Sequence, residues 1–278
     1  MDARMLIDGT KIDVVDLEMI SLKGLESGDA EEMAKLLSGA QTTGMFHLDF
    51  RGSQFGDVLW ERVGEVYYAS EKYFDQEPGI KQMDVRSDQA PSQDKGYKFC
   101  ETDETFEMAY DELVKGDLKL PEILHYSKHT MKCFSEICHD ATLTMLRSLS
   151  SSVSAKSPFE HSHSKTQLSD SGLKLVYEPC VEQKAQVVEN KHTDGGTLTV
   201  LFYNDWGLHV KLRDGSWGFV EPIEGCAVVN VADWLEWMSG GQLRSPLHRV
   251  TQPMDGFRKR YFLSYFLRPG HTSQNMHH

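Results

Sequence analysis

The chain has 278 residues, of which 42 are acidic and 29 are basic, for a net charge of −13. Its 40% of hydrophobic and 10% of aromatic residues exceed what a disordered chain contains. A chain of this length can build a substantial core without disulfide or metal crosslinks. The negative charge argues against a protein that coats nucleic acid or an anionic membrane, because like charges repel.

The sequence also limits where the protein works. No stretch approaches the ~20 apolar residues that span a bilayer. The first residues show no basic segment followed by an apolar run, so no secretory signal is expected. The five cysteines are odd in number and widely spaced, unlike a disulfide framework. We therefore expect a cytoplasmic protein.

Helical patterns dominate residues 1–150. Apolar residues recur at helical spacing, and Pro-Gly or polar segments separate the runs. Predicted helices cover Ser27–Leu37, Val58–Phe74 and Pro121–Ser150, a short strand covers Lys11–Leu17, a turn and second strand cover Gly39–Phe50, and a loop covers Asp84–Lys98.

The composition changes abruptly at residues 151–171, which are rich in serine and have no apolar period. This segment is predicted to be a loop, and a lid over a site is one role open to it. It contains His161 and His163, two residues apart. Because they lie in this polar stretch, we interpret them as solvated side chains.

Short strands with turn signals every 8–12 residues fill residues 172–270. Helices followed by strands, without βαβ alternation, predict an α+β, mainly β fold with a jelly-roll core and supporting N-terminal helices. We expect one domain over residues 1–278. The predicted strands are Leu173–Tyr177, Leu198–Tyr203, Leu208–Leu212, Gly218–Val220, Ala227–Val231, His248–Val250 and Arg260–Leu267.

The pattern His192-Thr193-Asp194, followed by His248, indicates a metal site. Residues i and i+2 of a strand share a face, so His192 and Asp194 can aim at one point. Two histidines and a carboxylate leave open positions on an octahedral metal, which suits non-haem Fe(II). Catalytic zinc also takes three protein ligands. The three-residue pattern alone also occurs by chance in many proteins.

Arg260 opens an alternating strand 12 residues after His248. It shares a face with Phe262, Ser264 and Phe266. If this face points into the core, the guanidinium needs a buried anionic partner, because an unpaired buried charge is costly. A carboxylate would match its fork. A solvent-exposed edge arginine is the alternative.

These residues carry a resemblance to a known family. The segments KIDVVDL, GMFHLDF, ETFEMAYDEL, LKLVYEPC and HTDGGTLTVLF, in this order, resemble motifs of the plant-type 2-oxoglutarate- and Fe(II)-dependent dioxygenases. That group includes isopenicillin N synthase and aminocyclopropanecarboxylate oxidase. The long segment that ends at His248 is similar as well, so the match covers nearly the whole chain.

The resemblance implies a double-stranded β-helix and a set of roles. His192, Asp194 and His248 would hold Fe(II), and Arg260 would pair with the distal carboxylate of 2-oxoglutarate. Tyr177 would lie near the cosubstrate or the substrate. The enzyme would use Fe(II), 2-oxoglutarate and O₂ to hydroxylate, desaturate or rearrange a small organic molecule of secondary metabolism.

One position departs from the family's R-x-S motif, because Phe262 replaces its serine. A hydroxyl contact to the cosubstrate carboxylate is then missing, and such a bond to a charged group contributes ~1.5–3 kcal/mol. Two alternatives therefore stay open. One is an Fe(II) oxidase that does not use 2-oxoglutarate, and the other is a non-catalytic module that binds a small ligand.

Aromatic and apolar side chains are the candidates for the substrate pocket. They suggest an apolar or ring-bearing substrate, although side chains of this kind more often pack in a core than line a pocket. The candidates are Tyr97, Phe99, Phe106, Tyr110, Val250 and Phe266.

Overall fold

The computed structural model describes residues 3–7, 10–89, 93–100, 103–153, 155, 157–165, 167–179, 190–251 and 259–274. The strands are β1 (Ala3–Ile7), β2 (Thr10–Val14), β3 (Met19–Ser21), β4 (Met45–Asp49), β5 (Gly96–Phe99), β6 (Glu104–Ala109), β7 (Gly172–Glu178), β8 (Leu198–Phe202), β9 (Leu208–Lys211), β10 (Trp217–Phe219), β11 (Cys226–Val231), β12 (His248–Val250) and β13 (Arg260–Leu267). The helices are α1 (Leu22–Ser27), α2 (Ala30–Thr42), α3 (Gly56–Phe74), α4 (Pro78–Lys81), α5 (Tyr110–Lys115), α6 (Lys128–Ser152), α7 (Asp233–Met238) and α8 (His271–Gln274). None of these helices is both long and apolar enough to cross a membrane.

Two sheets form the core of the fold. The smaller has the order β1-β2-β10-β9-β12, and the larger has the order β3-β4-β11-β8-β13-β7-β6-β5. Most neighbours are antiparallel, while β3–β4 and β2–β10 are parallel pairs. The larger sheet therefore joins strands from both sides of the serine-rich segment. This arrangement agrees with the predicted jelly-roll core supported by helices.

Strand β13 separates the two hydrophobic layers by simple alternation. Leu263, Tyr265 and Leu267 pack in the main core, which the helices cover. Phe262 points the other way and packs in a second cluster between the sheets. Because Arg260 is two residues from Phe262, its side chain lies on the inner face, as the sequence predicted.

Several elements differ from the sequence prediction. Strands β1, β3 and β6 and helices α1, α4, α5, α7 and α8 were not predicted. The predicted loop Asp84–Lys98 contains the start of β5, and the first turns of the predicted helix Pro121–Ser150 form a 3₁₀ helix, Glu122–Ser127. Strand β6 was missed because both of its faces are buried: every residue from Thr105 to Ala109 is buried. Its charged Glu107 is buried beside Lys174 and Arg268, so the strand shows no apolar alternation.

The described part of the serine-rich segment contains regular structure rather than a solvated loop alone. Helix α6 continues to Ser152, and a short 3₁₀ helix covers Phe159–His163. Phe159 is buried and anchors this turn. The interpretation of His163 as solvated is wrong: its Nδ1 donates to the Phe159 carbonyl and its Nε2 accepts from the Thr197 hydroxyl, at 2.9 and 2.7 Å.

Candidate active site

The structure brings His192, Asp194 and His248 together, although the two histidines are far apart in the sequence. Their backbones form a mutual bridge, in which each N–H donates to the other's carbonyl at 3.0 Å. The Nε2 atoms of His192 and His248 lie 3.6 and 3.8 Å from Oδ1 of Asp194. One ligand atom from each residue lies within 4.8 Å of the others. This set of two imidazoles and one carboxylate fits Fe(II).

Backbone carbonyls orient both imidazoles. Nδ1 of His192 donates to the carbonyl of Asn190 at 2.7 Å, and Nδ1 of His248 donates to the carbonyl of Pro246 at 3.1 Å. Because Nδ1 carries the proton in each ring, Nε2 keeps a free lone pair. Such hydrogen bonds fix the tautomer and direction of a histidine ligand.

Asp194 is held by its other carboxylate oxygen. Oδ2 accepts from the Thr199 hydroxyl at 2.5 Å and from the Asn230 amide at 3.0 Å. Burial alone would raise the pKa of Asp194. His248 and these two hydrogen bonds together outweigh burial, so the net pKa is below its usual value. Asp194 is therefore ionised, and its Oδ1 faces the histidines.

The two histidines differ in their access to solvent. The side chain of His248 is 8% exposed and that of His192 is 50% exposed. Burial lowers the pKa of His248, so its ring is neutral and able to coordinate. The exposed flank at His192 gives the site an open side.

Arg260 lies on the inner face of β13 and is buried, as predicted. Its Nη1 donates to the Trp206 carbonyl at 2.7 Å, and its Nη2 donates to the carboxylate of Glu178. Its Nε has no hydrogen-bond partner among the described residues. A side chain on Gly207 would overlap Nη1, so this glycine makes room for the guanidinium.

Glu178 is a residue that the sequence analysis missed. The register of β7 and β13 sets it directly opposite Arg260, and both side chains are buried enough to exclude most water. Burial raises the pKa of Glu178, and Arg260 offsets this rise only in part. The alternation of side chains along β7 could have indicated its orientation, because Glu178 must face the side opposite to Tyr177.

Tyr177 is not brought to Arg260. It pairs with Tyr261 in the sheet and stacks on Phe74 of α3, with ring centroids 5.2 and 5.6 Å apart. These contacts lie on the helix-covered face. Its sequence neighbour Glu178 takes the place beside the arginine.

Phe262 fills the position of the family's serine with a buried ring. The centre of the Arg260 guanidinium lies 5.3 Å from the ring centroid of Phe262. This inner face therefore carries an apolar surface next to the ion pair. Ser264 lies one alternation further along the same face.

The candidate substrate residues separate into two groups. Val250 lies on β12 two residues after His248, and Phe266 pairs in the sheet with Thr199, whose hydroxyl holds Asp194. Both are thus close to the triad, and Lys174 and Arg268 flank the Phe266 ring at 5.2 and 4.7 Å.

The other candidates lie further from the triad, on the side of β5, β6 and the helices. Phe106 packs on Tyr73 with centroids 4.7 Å apart, and the Tyr97 hydroxyl donates to Glu104 at 2.7 Å. Tyr110 stacks on His139, and Phe99 is exposed. The structure does not bring these four residues to the metal site.

Comparison with known proteins identifies the family. The model of the 2OG-Fe(II) oxygenase superfamily matches residues 167–269. The 2-oxoglutarate-dependent dioxygenase frbH of Dothideomycetidae sp. (strain 11243) is 33% identical over 274 residues, which cover 92% of this chain and 83% of that protein. The 1-aminocyclopropane-1-carboxylate oxidase 3 of Cucumis melo is 38% identical over 99 residues, 35% of this chain and 30% of that protein.

A solved structure extends the similarity to the whole fold. A full-length protein of Neurospora crassa, crystallised in complex with alpha-KG and 5-formyluracil, superposes with a TM-score of 0.77 at 25% identity. The match covers 98% of this chain and 89% of the Neurospora chain.

The chain therefore belongs to the 2OG-Fe(II) oxygenase superfamily. It is a 2-oxoglutarate- and Fe(II)-dependent oxygenase with a double-stranded β-helix core, and its cofactors are Fe(II), 2-oxoglutarate and O₂. These findings confirm the predicted fold class and enzyme class. They favour the oxygenase over the two alternatives, an oxidase without 2-oxoglutarate and a non-catalytic module.

Proposed function

We propose that His192, Asp194 and His248 hold Fe(II), that Arg260 anchors the distal end of 2-oxoglutarate, and that the enzyme oxidises a small organic molecule of secondary metabolism. The observation that carries this proposal is that three potential ligand atoms lie within 4.8 Å of one another. Both histidine Nδ1 atoms are hydrogen-bonded to backbone carbonyls, which leaves each Nε2 free to coordinate. When bound, Fe(II) with 2-oxoglutarate and O₂ supplies the oxidising chemistry, and 2-oxoglutarate is converted to succinate and CO₂.

The chain's own residues would perform three tasks. Thr199 and Asn230 keep the Asp194 carboxylate aimed at the histidines. Arg260 sets the depth at which the cosubstrate sits. The ring of Phe266, on the inner face beside Thr199, offers an apolar wall against which a substrate can pack and exclude water.

The nature of the partner follows from charge and from the relatives. A protein with a net charge of −13 is poorly suited to nucleic acid or an anionic membrane. The similar Neurospora crassa structure contains 5-formyluracil, a small ring compound. We infer a small-molecule substrate for this chain, a single domain over residues 1–278 and a cytoplasmic location.

An anaerobic titration tests the metal and cosubstrate assignment. Adding Fe(II) and then 2-oxoglutarate to the folded protein is expected to produce the weak visible charge-transfer band of a chelated 2-oxo acid. Asp194→Ala should abolish the band while keeping the far-UV circular dichroism spectrum. Absence of the band in the folded parent protein would refute the assignment.

A separate experiment tests the proposed contact between Phe266 and the substrate. Once a substrate is found, Phe266→Ala should raise its KM or lower kcat/KM by about tenfold, because a large buried contact area is lost. Phe106→Ala is the matched control, since Phe106 packs on Tyr73 away from the triad. Equal effects of the two variants would contradict the assignment of Phe266.

A further inference from the structure

The guanidinium that should anchor the cosubstrate already has an anionic partner. Arg260 is 4% exposed, and Glu178, which is 14% exposed, accepts a hydrogen bond from its Nη2. The positive charge of the anchor is therefore compensated from within the chain. We propose that Glu178 competes with the distal carboxylate of 2-oxoglutarate for Arg260 and thereby sets the selectivity among 2-oxo acids. This inference rests on the role of Arg260 in the proposed function.

The contacts of Arg260 show what an incoming group can bind. Nη1 donates to the carbonyls of Trp206 and Thr251, at 2.7 and 3.4 Å. Nη2 is taken by Glu178, and Nε alone lacks a partner among the described residues. A neutral acceptor can use one donor of this kind without displacing anything. A carboxylate binds best through two N–H groups of the fork, and Glu178 already accepts from one of them, on Nη2.

Charge adds to this competition. A second carboxylate at Arg260 would lie next to the carboxylate of Glu178, and two like charges in a buried site repel strongly. Phe262 closes the same face with an apolar ring, so it offers no hydrogen bond in compensation. The carboxylate of 2-oxoglutarate therefore binds Arg260 most strongly when the Glu178 side chain moves away from Nη2.

A shift of strand β7 cannot move Glu178 away from Arg260. Strand β7 is paired on both sides, with β13 and with β6, and Arg260 and Glu178 face each other in that register. The competition is therefore built into the sheet. It weakens the preference for a dianionic 2-oxo acid over a monoanionic one of the same chain length, such as 2-oxopentanoate.

The experiment measures equilibrium binding rather than turnover. Wild-type protein, Glu178→Gln and Glu104→Gln are loaded with Mn(II) and titrated calorimetrically with 2-oxoglutarate and with 2-oxopentanoate. Glu104 is the matched control: its side chain is also 14% exposed and also pairs with a buried cation, Lys81, on the other face.

Removing the competing charge should act on one ligand only. We expect Glu178→Gln to bind 2-oxoglutarate about tenfold tighter or more, because the arginine fork is freed for the ligand. Its dissociation constant for 2-oxopentanoate should change by less than about threefold, and Glu104→Gln should match the wild type with both ligands. An unchanged or weaker 2-oxoglutarate affinity in Glu178→Gln would overturn the proposal.

The wild-type protein alone gives a second measurement, in case Glu178→Gln does not fold. Its dissociation constants for the two 2-oxo acids should differ by less than about tenfold. A preference for 2-oxoglutarate above about a hundredfold would contradict competition by Glu178 while leaving the cosubstrate role of Arg260 intact. If Mn(II)-loaded wild type and Glu178→Gln both fail to bind 2-oxoglutarate, the proposed function itself fails.

Discussion

One or two hydrogen bonds fix the direction of each proposed metal ligand. The sequence supplied His192, Asp194 and His248 through the His-x-Asp pattern and the family resemblance. The strand expected to carry the first two does not form: His192 makes an isolated bridge to His248, and Asp194 lies outside the strands. The sequence could not supply Thr199 and Asn230, which hold Asp194 from two neighbouring strands. Their contribution depends on the pairing of β8 with β11, which no local pattern records.

The hydroxyl of Thr199 gives the first prediction. Thr199→Val removes a donor to Asp194 at constant shape, so we expect Mn(II) affinity to fall by about 10- to 100-fold in calorimetry. Thr105→Val is the control, because Thr105 is a buried strand threonine whose hydroxyl has no partner among the described residues. Equal metal affinity in the two variants would disprove the role of Thr199.

The second prediction concerns the space for Arg260. In Gly207→Ala the new methyl group would overlap Nη1, so the guanidinium must leave its place between the Trp206 carbonyl and Glu178. We expect 2-oxoglutarate affinity to weaken about tenfold or more, measured by titration of the Mn(II)-loaded protein. Gly64→Ala, on an open helix surface, should leave it unchanged. An unaltered affinity in Gly207→Ala would mean that Arg260 does not anchor the ligand there.

At the scale of elements, alternation was predictable and register was not. The inner face of β13 followed from its sequence, and β12 and β13 have the predicted bounds. The partner of Arg260 did not follow, because a shift of two residues between β7 and β13 would keep every side chain on its face and change the pair. Alternation along β7 gives the face of Glu178, but its pairing with Arg260 could be assigned only from the sheet register.

The serine-rich segment shows the opposite limit. Its composition gives no sign of the partly buried 3₁₀ helix that it contains. His163 hydrogen-bonds within this helix and to Thr197, the residue before β8. Polar residues such as His163 can be buried when every hydrogen bond is satisfied, and composition alone does not reveal this. The segment is thus tied to the strand that follows the predicted metal motif.

A pH dependence of stability is the third prediction. Burial lowers the pKa of His163 to about 4 from the ordinary 6.5, and His139 and His209 behave alike. The unfolded chain therefore takes up these protons at higher pH than the folded chain. The free energy of unfolding should reach its maximum above pH 6.5. It should decrease as the pH falls toward 4, by up to about 1.4 kcal/mol per pH unit for each histidine.

Urea unfolding at several pH values between about 7 and 4.5 checks this slope. His163→Gln should flatten it, because one proton uptake is removed from the unfolded state. His161→Gln, on the exposed side of the same short helix, should leave the slope as in the wild type. A slope that His163→Gln leaves unchanged would refute the assignment.

At the scale of the molecule, the larger sheet connects both ends of the chain. Strands β3 and β4 continue the sheet beyond β11, so residues before and after the serine-rich segment share one core. The composition break at residues 151–171 therefore does not separate two sheets. The strand order is consistent with the single domain that the sequence predicts.

The fourth prediction is a single unfolding transition. Tryptophan fluorescence and far-UV circular dichroism should give the same urea midpoint, because the larger sheet packs on the helices with one face and on the cluster shared with the smaller sheet with the other. Val229→Ala, at the centre of β11 between β4 and β8, should lower the free energy of unfolding by ~2 kcal/mol for both probes alike. Two separate midpoints, or an effect on one probe only, would contradict a single cooperative unit.

The bridge between His192 and His248 has a mechanical consequence. Strand β12 has three residues and lies at the edge of the smaller sheet, bound by β9 on one side and by this bridge on the other. An ion bound by His192, Asp194 and His248 would crosslink that edge to the segment before β8. Metal binding should then slow local unfolding of β12, and a protease should cleave the metal-free protein there sooner than the metal-loaded protein.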